Sequence, residues 1–443
     1  MKRPFLFSLA ACLLLGAVMA TAQGNKIDFE KYALDNGLTV ILHQDESTPI
    51  VAIAVMFHVG SKNEDPSRTG FAHFFEHLLF EGSENIGRGE FSKYIQDAGG
   101  TLNAYTSTDN TCYFEILPTN QLELGLWLES ERMLHAKVEQ EGVETQREVV
   151  KEEMRSRYDN QPYGSFLKEI SKRLYQKYPY MWTPIGSMDH LNAASEEDYV
   201  NFYKQFYVPN NAVLVIAGDF EAKQAREWVS KYFSGIPKRE GDIYRPNVKE
   251  PPLGKQVRDT IFDEVQLPGL FKAYRTPAIG EKDFYAMSML AKLLSEGESS
   301  RLKKALVDEQ QLAVQTGNVV FEREGPSMAL AFAIGNAGVD AQAVEKAMNA
   351  EVEKVQKEGV TEEEFQKLRN QVESEFVNQN ATVFGIANNL ATYEVLHGDA
   401  NLINEEIGRY MAVTREDIQN AAKKYLVEDN SVILYYLPKP TQP

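Results

Sequence analysis

The stretch SEEDYVNFYKQFYVPNNAVLVI, residues 195–216, recurs as TREDIQNAAKKYLVEDNSVILY at residues 414–435, with a single offset of 219 residues and no gap. Seven of the 22 positions are identical, among them Glu197/Glu416, Asp198/Asp417, Asn211/Asn430 and Val213/Val432. Both copies follow the same order. A Ser or Thr with an acid three residues on opens an amphipathic helix, a turn follows, and a β-branched strand closes the unit. A weaker echo, LLFEG at 78–82 and LLSEG at 293–297, is offset by 215 residues. Near-equal offsets predict one unit of about 220 residues written twice. The segment Gly235–Gly254 carries Pro237, Pro246, Pro251 and Pro252 between charges, which reads as a linker. The expected halves are therefore 24–236 and 253–440, joined by 237–252.

Within the first half, Leu38–Leu42 and Val51–Val59 pattern as strands, and Thr69–Phe80, Phe91–Ala98 and Thr119–Met133 as helices. Tyr105–Leu117 carries a strand ending at Pro118, and Glu141–Tyr158 reads as one long helix. Adjacent strands with grouped helices predict an α+β fold of two homologous domains, each a mostly antiparallel sheet with helices packed on it.

The 443 residues carry 46 Lys plus Arg against 64 Asp plus Glu, a formal net charge of −18. A chain this acidic argues against a nucleic-acid binder, because phosphate contacts need a basic face. Lys2 and Arg3 precede an apolar run from Phe5 to Met19, and Ala20-Thr21-Ala22 is a small-residue cleavage site. That order predicts a signal peptide over residues 1–22, a mature chain starting near Gln23, and a periplasmic or secreted location. An uncleaved anchor, or a lipoprotein acylated at Cys12, is the alternative. No other run of about 20 apolar residues occurs, so no membrane span is expected in the mature chain. Of the two cysteines, Cys112 alone would remain, which excludes an internal disulfide and reads as a small buried hydrophobe.

The chemistry concentrates at His73-Phe74-Phe75-Glu76-His77. On a helix, positions i, i+3 and i+4 share a face, so His73, Glu76 and His77 point the same way. Two imidazoles one turn apart can chelate Zn2+, and the intervening carboxylate can take a proton from a water. The order reverses the commoner H-E-x-x-H. Chance pairing among the seven histidines is the competing reading. A catalytic zinc needs a third protein ligand. In the helix around Gln146–Met154, Glu148 and Glu152 share a side with Arg155, whereas Glu153 follows Val149 and Val150 by four and three residues. Glu153 is thus the carboxylate expected to face inward, with a surface acid as the alternative.

Taken together, the run from Gly70 to Gly82 around that motif, Asn103-Ala104-Tyr105-Thr106, Glu153 at 76 residues past His77, and Tyr207–Asp219 resemble the pitrilysin-type (M16) zinc metallopeptidases. The likeness is to the smaller two-domain branch that includes the catalytic subunit of the mitochondrial processing peptidase, and it spans essentially the whole mature chain. The resemblance implies one zinc per chain held by His73, His77 and Glu153, with Glu76 as general base. It also implies that Asn103 and Ala104 hold an extended peptide by strand addition. A non-catalytic partner subunit on the same fold, or an assembly factor, is the competing class.

Two positions depart from the family pattern. An acid often found seven residues before the distal glutamate is Gln146 here. An Arg and a Tyr that family members carry seven residues apart in the second half fall on Val307 and Val314. The echo also places Ser288, Ala291 and Lys292 where His73, Glu76 and His77 stand in the first half. These departures imply a related partner subunit that supplies the Arg and Tyr.

Overall fold

A computed structural model describes residues 26–440. The expected signal peptide and Cys12 lie outside the described residues. Two sheets form the frame. The first contains β1 (Glu30–Ala33), β2 (Thr39–Gln44), β3 (Ile50–Phe57), β4 (Thr101–Thr106), β5 (Thr111–Pro118) and β6 (Ala212–Gly218), in the order β1-β2-β6-β3-β5-β4. The second contains β7 (Val257–Asp263), β8 (Gly269–Thr276), β9 (Ala313–Phe321), β10 (Ser327–Gly335) and β11 (Ser431–Pro438), in the order β7-β11-β8-β10-β9. Set β1 aside and the two orders are the same. In each sheet the last strand lies parallel to the first of the shared five, and the remaining pairings are antiparallel.

The duplicated stretches fold alike. Ser195 and Thr414 each close a capping box with the acid three residues on, opening helices Glu196–Phe206 and Arg415–Tyr425. Each helix is followed by a single 3-10 turn and then by β6 or β11. A cap of this kind satisfies helix-end amides through neighbours in sequence, which is why it was readable.

Both faces of the first sheet are buried. Val40, Leu42, Val51, Ile53 and Val55 face one core, while Ile41, Ala52, Ala54 and Met56 face another. The second core is completed from the far half of the chain, by Val383, Ile386, Leu390 and Ala391 of helix Val383–His397. Reciprocally, Ile170 and Leu174 of helix Phe166–Leu174, with Tyr175 and Tyr180, pack on the second sheet against Phe271, Leu330 and Leu434. Each half thus lends a helix to cover the other's sheet. Residues 234–256 carry no helix or strand.

The strand expected over Tyr105–Leu117 is the end of β4, a turn and β5. Ser107–Asn110 turns the chain, with the Ser107 hydroxyl accepting from the Asp109 and Asn110 amides. The long helix expected over 141–158 runs as an α-helix over Gln140–Met154 and loosens to a π turn over Arg155–Asp159.

A buried ionic cluster joins the halves. Lys62, 2% exposed, lies 2.8 Å from Asp109 Oδ1 and also meets Glu324 in the β9–β10 turn. Tyr180 donates to Asp109 at 2.6 Å, and His58 Nε2 lies 2.7 Å from Glu324. Burial works against the Lys62 charge, but Asp109 and Glu324 outweigh it and hold its pKa above the usual lysine value. Burial also opposes the Glu324 charge, yet His58 and Lys62 bring its pKa down to about 2. A depressed carboxylate stabilises the fold fully above the ordinary glutamate pKa, and that contribution fades as pH falls toward about 2. Lys62→Met strands Asp109 without its cation and is expected to cost about 3–5 kcal/mol near neutral pH, read by urea unfolding. A loss below about 1 kcal/mol would show that water replaces the ammonium there.

Candidate metal centre and substrate cleft

Helix Phe71–Leu78 is fastened at both ends by groups that no periodicity revealed. At its start, the Glu64 carboxylate accepts from the Gly70 and Ala72 amides at 2.9 Å each, and Trp182 Nε1 donates to it at 3.1 Å. Burial pushes the Glu64 pKa up to about 8, against the pull of those donors. Gly70 takes a positive φ of 99°, and a Cβ there would meet the Ile185 carbonyl at 2.9 Å. At the far end, buried Arg132 donates to the Leu79 carbonyl at 2.9 Å and pairs with Glu129. The apolar side of the helix stacks on the duplicated helix: Phe71 and Phe74 lie 4.7 and 4.6 Å from the Tyr199 ring, and Phe75 lies 5.5 Å from Phe202. With that side committed to the core, His73, Glu76 and His77 turn toward a cavity of about 750 Å3.

Glu153 reaches the same point from the last turn of helix Gln140–Met154. Its Oε2 lies 3.5 Å from His73 Nε2 and 3.1 Å from His77 Nε2. Ligand atoms around a tetrahedral zinc stand about 3.3 Å apart, given bonds near 2.0–2.1 Å. Among the described residues these three side chains form the one cluster able to hold a metal with three ligands. Glu153 Oε2 and His73 Nδ1 are buried without a hydrogen-bond partner, and the other carboxylate oxygen is held by Arg157 at 2.7 Å. Two imidazoles and an unpartnered carboxylate oxygen converging on one point fit zinc. The facing imidazoles, His73 first and then His77, hold the Glu153 carboxyl well below the usual range.

Glu148 and Glu152 stay on the surface, paired with Lys151 and Arg155. Val150 is fully buried, but Val149 is 43% exposed, so the buried stripe is narrower than expected. Gln146 points elsewhere: its amide donates to Glu81, which also receives Arg88.

Asn103 and Ala104 lie on β4, which is the edge of the first sheet and borders the cavity. The Ala104 amide donates to the Asn103 side-chain oxygen at 2.9 Å, so the edge donor is capped by its own neighbour. Across the cavity, Val320 and Phe321 close the edge strand β9, and Glu322 and Arg323 follow them. Two edge strands, one from each half, therefore face one cleft. Val307 and Val314 are not among its lining residues: Val307 packs beside the second core and Val314 is 49% exposed.

The repeated unit carries other groups at the matching positions. Lys292, at the position matching His77, pairs with Glu375 at 2.5 Å and Glu296 at 2.9 Å, and the Tyr410 hydroxyl donates to Ser288 at 3.3 Å. An ammonium stands between helices Lys282–Ser295 and Glu362–Gln379, where the first half brings a carboxylate to two histidines.

Residues 39–183 match the profile of insulinase, peptidase family M16, and residues 193–372 that of the peptidase M16 inactive domain. The zinc protease PqqE of Helicobacter pylori is 32% identical over 438 residues, 98% of each chain. The crystal structure of a protease from Helicobacter pylori superposes with a TM-score of 0.89 at 30% identity, covering 93% of this chain and all of that one. The periplasmic protease PqqL of Escherichia coli shares the fold, with a TM-score of 0.76 at 19% identity over 94% of this chain and 48% of that one. A two-sheet fold with matching strand orders, together with likeness to a zinc protease along almost its whole length, places this chain in peptidase family M16 as a zinc metalloprotease.

Proposed function

We propose that the chain is an exported endopeptidase that hydrolyses small or unfolded polypeptides, with one zinc per chain held by His73, His77 and Glu153. The convergence of those three side chains on one point carries the reading. When bound, the metal supplies Lewis acidity that makes a water nucleophilic near neutral pH. Glu76, on the cavity side of the same helix, accepts a proton from the attacking water at its carboxylate and returns it to the departing amine nitrogen. Asn103 and Ala104 receive the peptide as an added strand. For that, the Asn103 side chain must release the Ala104 amide, whose N–H then donates to a substrate carbonyl. The buried apolar side of helix Phe71–Leu78 and the seal of Glu64, Arg132 and Tyr199 keep the histidines in register with Glu153.

The leader Lys2–Ala22 supports export, and a relative described as periplasmic supports the periplasm as destination. Residues 24–236 form the catalytic half and 253–440 the homologous half without a metal site, linked through 237–252. Removing the metal by chelation should abolish cleavage of an unstructured peptide, and stoichiometric zinc should restore it. Cleavage that persists in chelator would sink the reading.

The competent form is a heterodimer with a related chain that brings an Arg and a Tyr to the cleft. Support comes from Val307 and Val314, which have no donor to offer a developing oxyanion and stand outside the cleft lining. Purified alone, the chain should bind zinc but turn over slowly, and adding such a partner should raise kcat at least about tenfold. Full activity of the isolated chain, unchanged by any relative, would rule this out.

A further inference from the structure

Among the described residues, Arg323 is the one buried arginine without a carboxylate partner. It is 5% exposed. Its guanidinium carbon lies 4.6 Å from the Tyr180 ring, 5.2 Å from Tyr175 and 5.9 Å from Phe321. Both tyrosine hydroxyls donate elsewhere, Tyr175 to the Pro326 carbonyl and Tyr180 to Asp109. Among the described residues no carboxylate stands within 4 Å of the guanidinium, and the oxygen that faces it is the neutral Tyr175 hydroxyl. Its Nη1 is buried without any partner. Arg132 and Arg275, equally buried, show the usual arrangement: the first pairs with Glu129 and the Leu79 carbonyl, the second with Glu250 and the Leu174 carbonyl.

A buried cation with idle donors is costly unless something completes it. Aromatic faces can hold the charge without engaging the N–H groups, which leaves those groups free for a ligand. Arg323 also borders the cleft that contains His73, His77, Glu153 and Glu76. Of the lysines and arginines lining that cleft, Arg157 is paired with Glu153, so Arg323 is the one without a carboxylate. Its position is fixed from both sides. The Arg323 amide donates to Ser327 Oγ at 3.1 Å, the Ile279 amide donates to its carbonyl, and the adjacent Glu324 is clamped by Lys62 and His58 of the first half.

We infer that Arg323 is a specificity residue that binds a carboxylate of the peptide in the cleft. A neutral carbonyl would occupy a donor but leave the charge uncompensated, whereas a carboxylate matches both the charge and the forked donors. The rest of the cleft carries Glu76, Glu153 and Glu322, and Arg157 is taken by Glu153, so among its arginines and lysines Arg323 is the one left to favour an acidic group in the substrate. The carboxylate has two sources, the free C-terminus of the peptide or an Asp or Glu side chain. The inference rests on the peptide-cleft reading above.

The test uses the full chain carrying Glu76→Gln, so that bound peptide is not consumed. Affinity is measured by fluorescence anisotropy with labelled unstructured peptides of about ten residues, a length that spans an added strand. One pair differs only in a free or amidated C-terminus. A second, amidated pair differs only by Glu or Gln at a single position, scanned along the peptide. At least one pair should show about tenfold tighter binding of the carboxylate form, and the pair that does so identifies the source. Arg323→Gln in the same background should erase the difference, and Arg323→Lys should retain part of it. If Arg323→Gln does not fold, the lysine variant carries the attribution, because it keeps the charge and loses only the fork. Equal affinities within both pairs, or a preference that survives unchanged in the folded variants, overturn the role of Arg323. Chelator-sensitive hydrolysis by the unaltered chain would in that event leave the peptidase reading standing. Absence of both hydrolysis and binding overturns the two together.

Discussion

Glu76→Gln is expected to lower kcat by about a thousandfold while the chain keeps its zinc and its fold. The substitution is nearly isosteric and the side chain is only partly buried, so the aromatic packing of Phe71, Phe74 and Phe75 beneath it is undisturbed. An amide of the same shape cannot accept the proton of the attacking water. The three converging ligand atoms belong to His73, His77 and Glu153, not to Glu76. Metal content, circular dichroism and thermal midpoint should therefore match the parent, and only turnover should fall. Because the isolated chain is expected to be slow, the comparison is best made with the partner present. A Glu76→Gln chain that cleaves peptide at a near-parental rate would remove Glu76 from the base role. A variant that loses zinc as well would make it a ligand instead.

His77→Ala should abolish tight zinc binding and turnover together. It leaves His73 and Glu153, and two protein ligands fall short of the three that catalytic sites use. Glu153→Gln should weaken zinc binding at least about a hundredfold, because it removes the anionic oxygen that lies between the two imidazoles. Glu152→Gln is the matched control one residue away. Its carboxylate is 70% exposed and touches only Arg155, so its zinc affinity should equal that of the parent. Equilibrium dialysis against a competing chelator measures all three. Equal losses for Glu152→Gln and Glu153→Gln would overturn the choice of third ligand and implicate the helix rather than the side chain.

Much of this arrangement was visible in the chain because it depends on near neighbours. The spacing of His73, Glu76 and His77 needs only a helix to bring them to one face. The repeat at 195 and 414 needs only a cap, an amphipathic turn and a strand, and both copies fold in that way. Glu153 was identifiable as the inward acid because Val150 marks the buried side, even though Val149 turned out to be exposed. The β4–β5 turn falls in the polar run Thr106–Thr111, where no Gly or Pro interrupts the chain between the flanking strands. That turn is made by hydroxyl and amide contacts of Ser107 and Asn110 rather than by Gly or Pro.

By itself the amino-acid order determined the duplicated α+β plan, the shared helix face of His73, Glu76 and His77 and the different residues at those places in the second copy, since each is set by periodicity, capping or residue identity within a few turns. The tertiary structure alone decided what covers each sheet, that helices Phe166–Leu174 and Val383–His397 are exchanged between the halves, and that Lys62 meets Glu324 while Arg323 meets no carboxylate. Apolar periodicity says which side chains leave water but not against what, because the driving force is non-directional. A charge pair such as Lys62–Glu324, 262 residues apart in sequence, leaves no local trace from which either partner could be inferred.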